Sequence, residues 1–227
     1  MPKQILISTS MLSADFSRLA EEARALEAAG ADWLHWDCMD GHFTRPLTHG
    51  PLVLQALREH TKLYFDAHLM ISNPEAQIPL FADAGADGIS IHVEATDEPA
   101  RLLDDIRARG CKSCLTVNPP TPLADLERLL PHCDVVMLMG VMPGYAGQEY
   151  APATTRRIAE LRQTIDRAGL ATLVEVDGGV KTGNIGTIVA AGADTLVAGS
   201  AVFGAPDADK GYRTIMQDLR SAAARPE

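Results

Sequence analysis

The chain has 227 residues, 46% hydrophobic and 22% charged, with a formal net charge of −10. That length suits one domain with a large core, or at most two small ones, and the balance is globular rather than disordered. No run of Lys or Arg stands out, so nucleic acid and anionic membrane surfaces are not expected partners; helix N-termini still leave an acidic protein able to hold a phosphorylated metabolite.

The opening segment, MPKQILISTSMLSAD, lacks the apolar stretch and small-residue cleavage site of a secretory signal. No run reaches the roughly 18 apolar residues of a membrane helix, and a cytoplasmic protein is expected. Apolar strand-like runs then alternate with amphipathic segments from end to end. The strands are predicted at Ile5–Ser8, Trp33–Cys38, Leu63–Leu69, Gly88–His92, Ser113–Val117, Val135–Met139, Leu173–Val176 and Thr195–Ala198. Between them, helices are predicted at Ser17–Ala29, Pro51–Glu59, Pro74–Ala84, Pro99–Arg109, Leu123–Leu130, Thr154–Ala168 and Asn184–Ala191. VNPPTP reads as the loop after the fifth strand, and the tail SAAARPE is expected to fray. Strands alternating with helices imply parallel pairing and right-handed crossovers. Eight such units, with no linker or shift in composition, predict a single (β/α)₈ TIM barrel over residues 1–227; a doubly wound sheet would use five or six strands.

Ala-Gly-Ala-Asp recurs at Ala29–Asp32, Ala84–Asp87 and Ala191–Asp194, and Cys133-Asp134 holds the corresponding place before the sixth strand. The glycine suits a left-handed helix exit, so the repeat is structural, at the barrel's bottom. Cys111-x-x-Cys114 sits at a strand entrance rather than a helix N-terminus, which sets its redox reading aside. Four scattered cysteines make no disulfide scaffold.

Chemistry in a barrel gathers at the C-terminal ends of the strands. His35 and Asp37, in LHWDCM, project to one side of the second strand; His68 closes the third and Asp177 the seventh. Two imidazoles and two carboxylates at one level form a ligand set for a divalent metal such as zinc, iron, manganese or cobalt. Met39, Met70 and Met139 end strands two, three and six, either as soft core filling or as apolar walls that exclude water from an intermediate. Glycine loops follow strands six to eight: MPGYAGQ (Met142–Gln148), DGGV (Asp177–Val180) and AGSAVF (Ala198–Phe203). They read as turns or as a phosphate grip with a short extra helix. Asp40 and His42 read as loop hydrogen bonding, and Arg45 as a solvated residue or a contact to substrate or a neighbouring subunit. His92 and Glu94 read as a loop pair or an outer support of the site, and Trp33 and Trp36 as packing between barrel and helices.

Taken together, SMLSADF, HWDCMDGHF, DAHLM, VNPPTPL, PGYAGQ, EVDGGV and VAGSAVF resemble the ribulose-phosphate 3-epimerase family almost throughout the chain. The resemblance implies a ribulose-phosphate binding type of barrel and one divalent ion, Zn²⁺ or Fe²⁺ first and Mn²⁺ or Co²⁺ next, on His35, Asp37, His68 and Asp177. It further implies Asp37 and Asp177 as the two acid/bases of a 3-epimerisation through an enediolate. By the same resemblance Ser10 and His68 contact substrate oxygens. Gly144, Tyr145, Ala146, Gly147, Gly178, Gly179, Gly199 and Ser200 line the phosphate end, the three methionines flank the intermediate, and the subunits form a homo-oligomer. The substrate so implied is D-ribulose 5-phosphate, with allulose 6-phosphate or a tetrulose phosphate as alternatives. Departures lie at Thr44–His49, where the family carries a Val-Pro-Asn-like stretch, and at Met142, where Asn or Asp is usual. Cys114 and Pro120 also replace commoner small residues.

Two other functions compete. Related decarboxylases and synthases carry Asp-x-Lys-x-x-Asp, whereas this chain has His35-x-Asp37-x-x-Asp40, without the lysine. A non-catalytic phosphosugar-binding barrel is the second rival, against which both carboxylates and both imidazoles argue.

Overall fold

A computed structural model describes residues 5–204 and 211–225. Eight parallel strands close on themselves in sequence order: β1 (Leu6–Ser10), β2 (Trp33–Met39), β3 (Tyr64–Met70), β4 (Gly88–His92), β5 (Lys112–Val117), β6 (Val135–Met139), β7 (Leu173–Asp177) and β8 (Thr195–Ala198). Around them run α1 (Leu19–Ala29), α2 (Pro51–Arg58), α3 (Pro74–Asp83), α4 (Pro99–Ala108), α5 (Ala153–Arg167), α6 (Ile185–Ala190), the short α7 (Ser200–Phe203) and α8 (Gly211–Ala223). This is the (β/α)₈ barrel expected from the alternation.

Three expectations need correction. The segment predicted as helix at Leu123–Leu130 is a run of tighter 3₁₀ turns over Ala124–His132, because Pro131 removes a backbone donor near its end. The tail is not frayed at Ser221–Ala223: these residues finish α8, where Ala223 is buried, whereas Pro226 and Glu227 lie outside the described residues, as do Met1–Gln4. Trp33 packs inside the barrel. It shares the inward parity of His35, stacks on Tyr64 with ring centroids 4.3 Å apart, and joins Cys114, Val135, Met137 and Val197 in a cluster of its own. Trp36, of opposite parity, does pack between sheet and helices, edge-on to Phe65.

The Asp repeat closes the barrel's bottom. Asp32, Asp87, Asp134 and Asp194 stand just before the even strands and accept the backbone N–H of Ile7, Phe65, Ser113 and Val174 on the preceding odd strands, at 2.7, 2.8, 2.9 and 2.8 Å. Each also receives a guanidinium from the helix that stands before that odd strand around the barrel: Arg220 of α8, Arg58 of α2, Arg107 of α4 and Arg162 of α5 respectively. Two glycines of the repeat make room for this. Gly85 (φ +96°) and Gly192 (φ +115°) take the left-handed exit, and an added Cβ would fall 3.0 Å from the Arg58 stem and 2.6 Å from that of Arg162. Four copies of one ion-pair clamp tie neighbouring β/α units together.

The clamps differ in burial, which sets their weight. Arg162 and Asp194 are nearly enclosed, with side chains 16% and 3% exposed, whereas Asp87 is 44% exposed. Asp194→Ala is expected to cost about 2–4 kcal/mol and Asp87→Ala about 1 kcal/mol, read as urea-unfolding midpoints; equal losses would refute the ranking.

His49, in the segment leading to α2, is buried against Trp36 with ring centroids 3.9 Å apart. Burial pulls its pKa down to about 4, below the roughly 6.5 of an unfolded histidine. The unfolded chain therefore takes up the proton first. Stability from a neutral His49 is full above pH 6.5 and is lost as pH falls towards 4. Relative to His49→Phe, the protein should lose on the order of 2 kcal/mol more between pH 7 and pH 4, measured by urea unfolding at both.

Candidate active site and metal centre

Alternation along β2 and β3 puts two pairs of polar residues on the inner face. Register places His35 beside Asp66 and Asp37 beside His68. From across the barrel β7 adds Glu175 and Asp177, Asp177 lying beside Met139 of β6. His35 and His68 are wholly buried and Asp37 nearly so.

One ligand atom each from His35, Asp37, His68 and Asp177 fall within 4.8 Å of one another. His35 Nε2 lies 3.2 Å from His68 Nδ1, 3.4 Å from Asp37 Oδ1 and 3.9 Å from Asp177 Oδ2; His68 Nδ1 lies 3.3 and 3.7 Å from the same oxygens. Donors held tetrahedrally at about 2.0–2.1 Å from an ion stand roughly 3.3–3.4 Å apart, so the set fits a divalent first-row metal. When both imidazoles are neutral with these nitrogens unprotonated, the two nitrogens turned towards each other beside two carboxylates also present converging lone pairs. A cation relieves that repulsion.

His35 is backed by a carboxylate, and His68 by a second imidazole that itself meets a carboxylate. His35 Nδ1–H donates to Asp66 Oδ2 at 2.6 Å, and the Ser90 hydroxyl donates to Asp66 Oδ1 at 3.3 Å. His68 Nε2 meets His92 Nε2 at 2.8 Å, and His92 Nδ1 meets Glu94 Oε2 at 3.3 Å. Burial opposes charge at all of these groups, and the neighbours decide the outcome. At His35 the carboxylates of Asp37 and Asp66 overcome burial and hold the imidazole well above its usual range. Burial prevails at His68, which falls to about 4. Asp37 is held below the usual carboxylate range, against burial, by His35 and His68. Asp177 is pushed up to about 7 by burial and by the charges of Asp37 and Asp66, with His35 pulling the other way. Glu175 is driven well up by burial and by Asp66.

A cleft opens above this cluster. Asp37 and Asp177 reach its floor, while His35 and His68 lie beneath it. Met39, Met70 and Met139 line it; Met39 and Met70 stand side by side in register. Ser10 lines it too, and its hydroxyl donates to Asp37 Oδ2 at 2.6 Å. The rim is made by Gly144–Gly147, Gly178, Gly179, Gly199 and Ser200, the last opening the four-residue α7. Gly179 has no substitute: φ is +73° and an added Cβ would fall 2.3 Å from the Tyr150 backbone nitrogen. Gln148 braces loop six by donating to the carbonyls of Met142 and Tyr145, whose side chains are exposed.

All sixteen residues singled out from the sequence for metal, catalysis, substrate or flanking thus lie in the cleft or directly under it. The lesser candidates separate. Asp40 accepts from the backbone of His42 and Phe43 and from Ser72, which is loop hydrogen bonding; His42 and Arg45 are exposed. Cys111 and Cys114 are both buried free thiols, Cys114 within β5. Three residues went unassigned in the sequence reading: Asp66, Glu175 and Ser13, whose buried hydroxyl lines the cleft. The first two had a signal, since Asp66-x-His68 and Glu175-x-Asp177 repeat the spacing of His35-x-Asp37.

Asp66→Asn replaces an anionic acceptor with an amide beside His35. Zn²⁺ affinity should weaken by about 10–100-fold with the fold retained, measured by chelator competition; unchanged affinity would show that Asp66 does not orient His35.

Comparison with known proteins gives the family. The sequence profile of the ribulose-phosphate 3 epimerase family matches residues 6–203. Ribulose-phosphate 3-epimerase 1 of Cupriavidus necator is 49% identical over 225 residues, covering 97% of this chain and 93% of that protein. Ribulose-phosphate 3-epimerase of Escherichia coli is 46% identical over 224 residues, covering 98% of each. Among solved structures, a 3-hexulose-6-phosphate synthase superposes with a TM-score of 0.66 at 20% identity, covering 96% of this chain and 99% of that one. An orotidine 5′-phosphate decarboxylase from Pyrococcus horikoshii gives 0.65 at 17%, covering 97% and 100%. At such identities these two share only the fold. The profile and the curated relatives decide more: this chain belongs to the ribulose-phosphate 3-epimerase family.

Proposed function

We propose that this chain, an isomerase of the carbohydrate-epimerase kind, interconverts D-ribulose 5-phosphate and D-xylulose 5-phosphate. The observation that carries the reading is the convergence of Asp37, from β2, and Asp177, from β7, on the floor of one cleft above two buried imidazoles. A divalent ion on His35, Asp37, His68 and Asp177 would supply Lewis-acid stabilisation of negative charge developing on the substrate oxygens.

The chain's own groups supply the rest. One aspartate takes the C3 proton, and the electrons of the broken C–H bond move into the adjacent carbonyl to give an enediolate. The other aspartate returns a proton to C3 from the opposite side. With no ion bound, the environments of the pair already differ: against burial, His35 and His68 hold Asp37 down, whereas burial and the charges of Asp37 and Asp66 raise Asp177. Ser10 holds Asp37 in place through its hydroxyl. Met39, Met70 and Met139 keep water from the enediolate, and the glycine loops after β6, β7 and β8 grip the phosphate through backbone N–H groups. A cytoplasmic setting accords with the four free, buried thiols, and no described helix is long and apolar enough to cross a membrane.

Met142 is half exposed on the cleft wall, and an added Cβ on Gly144 would meet Thr44 at 3.7 Å, so the two departures border one rim. That keeps allulose 6-phosphate and tetrulose phosphates in the test. Metal-loaded protein in D₂O should incorporate deuterium at C3 with inversion, fastest with ribulose 5-phosphate. No exchange with any four- to six-carbon ketose phosphate would leave only a phosphosugar-binding barrel. Asp177→Asn should lower turnover by about 10²–10⁴-fold; full activity would remove it from the proton path.

A further inference from the structure

The two buried imidazoles present different nitrogens to the cluster, His35 its Nε2 and His68 its Nδ1. Each must therefore carry its proton on the far side. For His35 the reason is plain, because Asp66 can only accept. His68 has no carboxylate behind it; it has a second imidazole. We propose that His92 and Glu94 are positioning residues that hold His68 in the Nε2–H tautomer, with the Nδ1 lone pair turned to the ion. This rests on the reading of His35, Asp37, His68 and Asp177 as an ion site.

The proton inventory admits one neutral arrangement with Nδ1 free. His68 Nε2–H donates to His92 Nε2 across 2.8 Å, so that His92 nitrogen carries a lone pair. The remaining proton of His92 sits on Nδ1 and donates to Glu94 Oε2 at 3.3 Å. Glu94 is fixed as the acceptor at the end of the chain because its other oxygen accepts the Asn118 backbone N–H at 2.9 Å and the Thr121 hydroxyl. The rings of His68 and His92 stack at 22° with centroids 5.0 Å apart, and Phe43 flanks His92 from the other side. The opposite arrangement would put a proton on His68 Nδ1, directed at Asp37 Oδ1 3.3 Å away, and block ligation. The loop after β5, far from the cleft in sequence, thus sets the donor face of a ligand.

The test uses the whole chain and two readouts. In metal-free protein, ¹⁵N shifts of the imidazoles should report His68 as Nε2–H and His92 as Nδ1–H. Replacing the acceptor in His92→Phe should turn His68 to Nδ1–H and weaken Zn²⁺ binding by about 10–100-fold in chelator competition, and His92→Gln, which keeps a carbonyl acceptor, should restore most of it. Should His92→Phe not fold, as judged by circular dichroism, Glu94→Ala removes the far acceptor and should weaken Zn²⁺ in the same way. His68 found as Nδ1–H in the unmodified protein, or undiminished Zn²⁺ affinity in a folded variant, overturns the proposal. Failure of the unmodified protein to take up Zn²⁺ at all, with the tautomers as stated, overturns instead the ion-site reading on which it rests.

Discussion

The side chains inside a closed barrel have no solvent to turn to, and that constraint governs everything above its waist. Closure in strand order leaves alternate residues of each strand facing one another across the interior. Here that interior holds His35, Asp37, Asp66, His68, His92 and Glu175 at exposures of 4% or less. A buried ionisable group costs several kcal/mol unless it is paired or neutralised. The contact between His35 and Asp66 is where pairing begins. It fixes the tautomer and plane of His35, which orders Asp37; Asp37 with Ser10 then sets the floor of the cleft.

Opposite ends of the same strands obey different economies. At the bottom, each Asp before an even strand is shared between a neighbouring strand's backbone and an arginine, so charge is spent wholly on holding adjacent units together. In the clamps of Asp32 and Asp87 one oxygen, Oδ2, accepts from both sides. At the top, the carboxylates of Asp37 and Asp177 are matched to imidazoles and to each other, leaving lone pairs free to meet an ion or a proton. The exposed rim of Met142 and Tyr145 can vary without disturbing either system.

The fold neighbours sharpen what carries function. A synthase and a decarboxylase superpose over nearly the whole chain at 17–20% identity, so the scaffold does not select the reaction. Selection lies in a few inner-face side chains. In His35-x-Asp37-x-x-Asp40 the carboxylate of Asp37 stands where the lysine of Asp-x-Lys-x-x-Asp would be, beside an imidazole at 35, so the strand offers ligands that could hold an ion instead of a fixed cation. Of the departures from the family's usual residues, Met142 lines the cleft and Thr44 faces Gly144, whereas Thr48 accepts the Met39 backbone N–H and donates to the Asp37 carbonyl.

The sequence by itself determined the barrel, its strand positions to within a residue or two, and the metal-type cluster. Period-2 and period-3.6 patterns are local, and His35-x-Asp37 shows its common face without any fold. The same spacing in Asp66-x-His68 and Glu175-x-Asp177 carried the information for two more residues, but nothing local tells a core carboxylate that orients a ligand from one that merely fills a strand. Only the tertiary structure decided those roles, because they depend on which strands lie side by side: Asp66 matters through its register with His35, and Glu94 through a turn of chain after β5. The side on which Trp33 packs was legible from its parity with His35. The tight turns at Ala124–His132 were not legible, since amphipathic spacing there fits a helix until Pro131 withdraws its donor. The four arginines of the bottom clamps recur at no fixed distance from their aspartates in sequence. Closure of the barrel brings them together.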